Sequence, residues 1–395
     1  MTEQERALRR EQKERQRLIE QTAREAGRGP LDLPFLLLVL LLTCIGLVML
    51  FSASFAAAYY KTGKPGYYVE RQAIFAAMGI AAMVFLGRFN YERLRGVSKI
   101  LLAVSVFLLI LVLVPHVGIT RNNATRWLGI PGTELSFQPS EIAKLGVILY
   151  FADSISKKKD RMRTFREGVL PYAVILGIVG FLMYKEPHFS GLVLIFGIGA
   201  VMMYAGGIRN YWVVLGVLAV LGLAWAYLNG YISYNSSRIA IWLDPLNDEW
   251  AQDAAFQIRQ SLISIGSGGL LGLGLGQGRQ KYLFVPEPQN DFIFALVCEE
   301  LGFIGASFIM LLFALLILRG YWIALHARDR FGCLLAVGVT TQIALQVFLN
   351  IAVVTNLLPN TGISLPFFSY GGTALAMQLA EMGVVLSVSR QMPAS

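Results

Sequence analysis

"LPFLLLVLLLTCIGLVMLFSASF", residues 33–55, contains no charged side chain and only a handful of polar ones. An α-helix needs roughly 20 mainly apolar residues to cross about 30 Å of hydrocarbon. This stretch is long enough to do so. It lacks a small-residue cleavage site and reads as an uncleaved signal anchor rather than a removable signal peptide. The surrounding composition agrees. Of 395 residues, 55% are hydrophobic and only 15% charged, and mean hydropathy is +0.57, which places the chain among membrane proteins.

The same test applied along the chain gives further windows at 69–87, 99–118, 140–155, 168–184, 190–207, 211–229, 291–318, 331–354 and 366–389. The predicted fold is therefore an all-α polytopic membrane protein of about ten transmembrane helices. A large extracellular loop, 230–290, lies between helices 7 and 8. A closed β-barrel is excluded because the windows are too long and do not alternate. Of the 34 Lys and Arg residues, 23 fall in segments that lie inside when the N-terminus is inside. That bias predicts both termini on the cytoplasmic face of the membrane. The net charge of +9 is then explained by anionic headgroups, with no nucleic-acid partner required. Residues 1–32 read as a mixed basic and acidic cytoplasmic tail, 33–390 as the membrane domain and 391–395 as a cytoplasmic end.

Polar chemistry concentrates on the outer side. The segment 115–139 carries Arg126 and Trp127, and "QPSEIAKL" brings Glu141 and Lys144 into the fourth span. Glu141 and Lys144, three residues apart on a helix, can equally neutralise each other. Trp127 is equally suited to an interfacial aromatic belt. In the large loop an amphipathic stretch from Trp250 to Ile265 contains Arg259 and predicts a helix lying along the outer headgroups. The run that follows, "GSGGLLGLGLGQGRQK", is not a P-loop, because no G-K-[ST] ends it. Its expected use is a tight backbone path beside a bulky headgroup, with Arg279 and Lys281 available to a phosphate. Glu287, Asp291, Glu299 and Glu300 then cross from the loop into span 8. An acid in a span costs about 2.5–3.5 kcal/mol or more, so such residues are functional candidates, although Asp291 also suits a helix cap. The Pro- and Gly-punctuated segment before span 10 predicts a polar cavity near that span's outer end. Cys44, Cys298 and Cys333 read as packing residues without metal-type spacing, and the three histidines share no motif.

"NATRWLGI" (123–130) with "FQPSEIAKL" (137–145), "GSGGLLGLGLGQGRQKYLFVPEPQNDFIFALVCEELG" (266–302) and "NLLPNTGISLPFFSYGGTALA" (356–376) resemble, in order, the motifs of the SEDS family of bacterial cell-wall polymerases, RodA, FtsW and SpoVE. "VVTNLLPNTG" and the terminal "VSR" are most similar to the FtsW and SpoVE branch. The resemblance implies a peptidoglycan glycosyltransferase that polymerises lipid II, a disaccharide-peptide on polyprenyl diphosphate, at the outer face of the bacterial cytoplasmic membrane. Asp291 matches the family's essential acid. It is expected to act as the general base or to orient the acceptor hydroxyl, with Arg126, Trp127, Glu141, Lys144 and Glu287 expected at the substrate. Arg259, Arg279 and Lys281 are further expected diphosphate contacts. A divalent cation, Mg or Mn, is compatible with the chemistry, with no ligand set visible. The resemblance also implies a class B penicillin-binding protein packed near helices 8 and 9, and other cell-division or elongation proteins as partners. One departure is plain: where many members read P-D-F-G-T, this chain has Pro187, His188, Phe189, Ser190 and Gly191, so no acidic role carries over to that turn. The competing functions are a lipid II flippase and a non-catalytic cell-wall scaffold. The transporter signatures of an inverted repeat and a midplane site are not evident.

Overall fold

The computed structural model describes residues 29–121, 124–129, 136–228, 236–246, 254–282 and 287–392. The basic tail therefore lies almost wholly outside the described residues, as do Trp250, Pro286 and the last three positions. The helices, in chain order, are α1 Leu33–Thr62, α2 Tyr67–Arg88, α3 Leu94–Val112, α4 Pro139–Lys158, α5 Leu170–Lys185, α6 Phe189–Ala205, α7 Asn210–Leu228, α8 Ser236–Leu243, α9 Ala254–Gly268, α10 Ile293–Leu325, α11 Arg330–Val354 and α12 Gly372–Ser389. Seven helices among the described residues are long and apolar enough to cross a membrane; these are α1, α2, α3, α5, α10, α11 and α12, with short helical turns extending α3 and α5. The other three predicted spans correspond to α4, α6 and α7. The first of these carries charge, and the apolar segments of the other two are shorter.

Local sequence explains the boundaries. Asp32 caps α1 by accepting from the Phe35 N–H at 2.9 Å, and Gly63 ends it in the left-handed conformation that glycine adopts freely. Asp32 also takes the Arg319 guanidinium, at 2.8 Å from Nη2, tying the start of α1 to the far end of α10. Arg95, Tyr91 and Asp329 make a similar cluster between α3 and α11. In the core, α11 is the most enclosed of the seven long helices. α2 and α12 approach closely because Gly79 sits against Ala376 and Leu379, and Gly383 against Met83.

Two segments depart from the sequence expectation. Residues within 115–139 build a three-stranded antiparallel sheet, β1 Gly118–Arg121, β2 Ala124–Gly129 and β3 Ser136–Phe137, in the order β1-β2-β3. Ile119 faces Trp127 and Leu128 faces Phe137 across it. The tenth window begins too early: 355–371 is non-helical and α12 starts only at Gly372.

The Gly-rich run does take the expected tight backbone path, but beside a helix. It docks against α10 where that helix breaks at Gly302 (φ 68°, ψ −171°). The Leu273 and Gly274 N–H groups donate to the Glu299 and Glu300 carbonyls, while the Phe303 and Ile304 N–H groups donate to Gly269 and Leu270. The loop thus replaces the hydrogen bonds that the broken helix loses, which backbone at membrane depth requires. A Cβ on Gly272 would stand 2.2 Å from the Glu300 carbonyl oxygen, and one on Gly302 would stand 2.2 Å from the Gly272 nitrogen. The glycines serve this approach rather than a headgroup. α9 likewise packs inward. Ile258, Ser261 and Ser264 are buried and the Ser261 hydroxyl donates to the Val354 carbonyl at 2.9 Å, so the helix does not simply lie on headgroups.

Candidate active site

The helices α2, α4, α6, α10 and α12 all begin at one end of the bundle, and residues at or just before each of their starts line a single cavity of about 1040 Å³. Each start presents unpaired N–H groups and the positive end of a helix dipole. Five of them converge on one space that Arg71, Arg126 and Lys144 share with Glu141, Glu287 and Asp291, so helix-dipole charge adds to a lining in which basic and acidic side chains balance.

Six of the nine residues expected from sequence line this cavity: Arg126, Trp127, Glu141, Lys144, Glu287 and Asp291. β2 delivers Arg126 and Trp127. The Arg126 guanidinium donates to the carbonyls of Glu186 and Pro187, which fastens the sheet to the turn between α5 and α6. Lys144 is buried to 2% exposure, with its ammonium 2.8 Å from the Glu141 carboxylate. The neutralising pair anticipated from spacing is thus formed, and it is formed inside the cavity wall.

Asp291 does not act as a cap. The N-cap position of α10 is Phe292, and no side chain caps that helix. The backbone is pinned instead, the Asn350 amide donating to the Asp291 carbonyl at 2.8 Å and to the Ile363 carbonyl at 2.6 Å. Gly362 lies so close that a Cβ there would stand 3.3 Å from Asp291 Oδ2. Burial pushes the Asp291 carboxyl up to about 6; Arg126 opposes the shift and Glu287 adds to it. Glu287 stands four residues upstream in a left-handed backbone conformation (φ 46°), with its carboxylate held by the Asn290 amide at 2.8 Å. Such strain in a side-chain-bearing residue is characteristic of functional loops.

Arg259, Arg279 and Lys281 are not among the cavity residues. Lys281 in particular is committed elsewhere. It is 3% exposed and pairs with Glu300 at 2.8 Å, with Ser52 and the Gly276 carbonyl also bound to the ammonium. Arg279 contributes its backbone N–H to Glu299 at 2.7 Å. These acids, Glu299 and Glu300, therefore hold the Gly-rich loop, which explains their place at the mouth of a span.

Sequence reasoning passed over several cavity residues. Tyr68 and Arg71 on α2 look like ordinary span-end residues. His188, in the turn that departs from the family pattern, is held by burial well below its usual range, at about 3, with Arg126 and Lys144 acting in the same sense. Its neighbour Glu186 is pushed up by burial to about 8, Arg126 opposing, and neither carboxylate oxygen has a hydrogen-bond partner among the described residues. Below the cavity floor, Gln342 donates to the buried Glu381 carboxylate at 2.7 Å. Polar residues at i, i+4 and i+8 (Gln342, Gln346, Asn350) are the signal that was available for this buried stripe.

A multi-pass membrane bundle whose helix starts converge on one cavity, with an acid of raised pKa set among basic side chains, defines the class of protein. The FtsW, RodA and SpoVE family, described as cell cycle protein, matches residues 32–393, and the chain belongs to it. Stage V sporulation protein E of Bacillus subtilis is 42% identical over 360 residues, covering 91% of this chain and 97% of that protein. A probable peptidoglycan glycosyltransferase FtsW of Geobacter sulfurreducens is 40% identical over 363 residues, covering 91% and 95%. Among solved structures, a chain reported under structural coordination of polymerization and crosslinking by a peptidoglycan synthase complex superposes with a TM-score of 0.75. It is 28% identical and covers 91% of this chain and 98% of that one. The rod shape determining protein RodA of Thermus thermophilus superposes at 0.66, with 26% identity, covering 93% and 99%.

Proposed function

We propose that this chain is a peptidoglycan glycosyltransferase that polymerises lipid II at the outer face of the cytoplasmic membrane, with ten spans and both termini inside. The observation that carries this reading is Asp291, half-buried yet desolvated enough to titrate near 6 and set in one cavity with Arg126 and Lys144. A general base works best when its pKa lies near the operating pH. Asp291 takes the proton of the acceptor sugar hydroxyl, whose oxygen attacks the anomeric carbon of the donor unit. The anomeric C–O bond then breaks with inversion, and the electron pair leaves on the polyprenyl diphosphate. Lys144, Arg126 and the helix starts stabilise that leaving charge, as preorganised dipoles do in a water-poor site. Trp127 and Glu287 line the path of the headgroup. Ile74 and Met78, exposed on α2 and lining the same cavity, offer an apolar way out for the lipid chain.

A divalent cation, Mg or Mn, fits only as a companion of the substrate. Among the described residues, no three His, Cys, Asp or Glu side chains gather into a ligand set. Magnesium is commonly held by one or two carboxylates plus phosphate oxygens, and Glu287, exposed in the cavity lining, is the carboxylate that would meet it while Asp291 stays free as the base. Bound there, it would offset charge on the diphosphate.

The partner reading is a class B penicillin-binding protein on α10 and α11. Phe303, Ile304, Phe308, Leu311 and Leu318 form an exposed apolar face along α10 that a single membrane helix would cover. Cell-division, elongation or sporulation proteins would assemble around that pair. Purified protein mixed with lipid II in detergent tests the activity, since transport has no meaning there. Glycan strands are expected; their absence, with and without the transpeptidase, overturns the reading.

A further inference from the structure

The α2 side of the cavity has a composition that diphosphate binding does not use. Tyr68 on α2 and Tyr370, two residues before α12, meet edge to face with ring centroids 4.9 Å apart. Both are half-buried and both line the cavity. In such a pair the ring that gives its edge keeps its own faces uncovered by the other. The pair is held rigidly. The Tyr370 N–H donates to the Gln289 carbonyl at 2.8 Å, and the buried Gln72 amide grips the backbone on either side, at Ser369 and Gly371. Arg71 reaches the Tyr370 hydroxyl while its guanidinium lies 4.4 Å over the Tyr67 ring.

Beside this platform is a buried acceptor that nothing in the protein satisfies. Gln289 is 3% exposed and lines the cavity, and its Oε1 has no hydrogen-bond partner among the described residues. An unpaired buried amide oxygen costs about 1–3 kcal/mol, so a donor supplied by a ligand would be well received there. Gln289 is two residues from Asp291, with Asn290 between them.

We propose that Tyr68, Tyr370 and Gln289 form a subsite for an N-acetylated hexosamine ring, the one whose hydroxyl is presented to Asp291. The axial C–H bonds of a pyranose make one face weakly apolar and electropositive, which stacks on the electron-rich face of an aromatic ring. An acetamido group carries one N–H donor, matching the single unpaired acceptor at Gln289. Arg71, Asn290 and Glu287 ring the platform with donors and an acceptor for the remaining hydroxyl and carbonyl groups. The inference rests on the polymerase reading for its assignment of the acceptor side, while sugar binding itself is measurable without turnover.

The test is saturation-transfer NMR on the purified full chain in detergent, with N,N′-diacetylchitobiose as probe and cellobiose as the control lacking acetamido groups. Wild-type protein should transfer saturation to the chitobiose acetyl methyls and ring protons, and far less to cellobiose. Tyr68→Ala should weaken binding about tenfold, the worth of one aromatic stacking contact, and Tyr68→Phe should keep it, because the ring face is what matters. Gln289→Leu should reduce chitobiose to the cellobiose level. Equal transfer to both disaccharides in the wild type, or no difference between Tyr68→Ala and Tyr68→Phe at equal melting temperature, overturns the subsite. The expected pattern in a protein that makes no glycan strands would uphold the subsite and overturn the polymerase reading.

Discussion

Replacing Lys281 by Met removes one partner of a buried ion pair and leaves the other in place. Glu300 would lose the ammonium 2.8 Å away and keep only the Ser52 hydroxyl at 2.7 Å and the Gly276 N–H at 3.0 Å. Breaking a buried pair in this way costs about 3–5 kcal/mol, because a carboxylate is stranded where water does not reach. The Gly276 carbonyl also loses its donor, worth about 1 kcal/mol more. Against a total stability of roughly 5–15 kcal/mol this is severe, and the melting temperature in detergent should fall by on the order of 10 °C. Adding Glu300→Gln removes the stranded charge while keeping an acceptor for Gly276 and Ser52. The double variant should regain most of the loss, a coupling at or above the upper end of the usual range of about 0.5–3 kcal/mol. Folded double variant should then polymerise lipid II with a near wild-type KM, since Lys281 lies outside the cavity. A Lys281→Met protein of unchanged melting temperature with a KM raised tenfold would refute the structural role and restore Lys281 as a diphosphate contact.

Gly302→Ala should be hardly tolerated, since the left-handed backbone there and the 2.2 Å approach to Gly272 leave no room for a methyl group; thermal unfolding should show several kcal/mol lost, and an unchanged melting temperature would contradict the broken-helix description. Lys144→Met strands Glu141 and removes the cavity floor's cation, so both stability and lipid II affinity should drop, read by melting and by KM. Glu186, with a carboxyl raised to about 8, binds its proton more tightly folded than unfolded. Its stabilising effect is therefore complete at low pH and is lost as pH rises from the unfolded value of 4.5 through 8. His188, held near 3 when folded, works the other way and costs stability as pH falls below its ordinary 6.5. Between about 6.5 and 8 the Glu186 slope acts with little opposition from His188. Melting temperature should decline across that window in the wild type and more shallowly in Glu186→Gln; parallel curves would show the carboxyl is not buried as described.

Seven of the predicted windows fall on helices long and apolar enough to span, legible because twenty apolar residues have few other stable uses, but their ends moved: the first helix runs on to Thr62 and the last starts only at Gly372. Asp291 was legible because an acid beside an apolar run is costly, and family motifs then separated it from its neighbours. What sequence could not show were pairings set by the third dimension. Lys281 and Glu300 are 19 residues apart, and their mutual burial appears only once the Gly-rich loop folds back onto the break at Gly302. From sequence, a lysine after glycines looked like a phosphate ligand. The sheet carrying Arg126 was hidden because β1 and β3 span only four and two residues, too short for alternation to register. Tyr68 and Arg71 were overlooked for the opposite reason: aromatic and basic residues at a span end are so common that they carry no signal until the cavity is seen.

A base at Asp291 shows itself in the pH dependence of lipid II polymerisation by wild-type and Asp291→Asn protein. With the carboxyl near 6, the wild-type kcat/KM should rise through about pH 6 as Asp291 loses its proton, then level off. Asp291→Asn should fold normally, lose that inflection and fall by roughly 100- to 10,000-fold at pH 7.5. Near-normal turnover by the Asn variant, with the same rise through pH 6, would contradict the account.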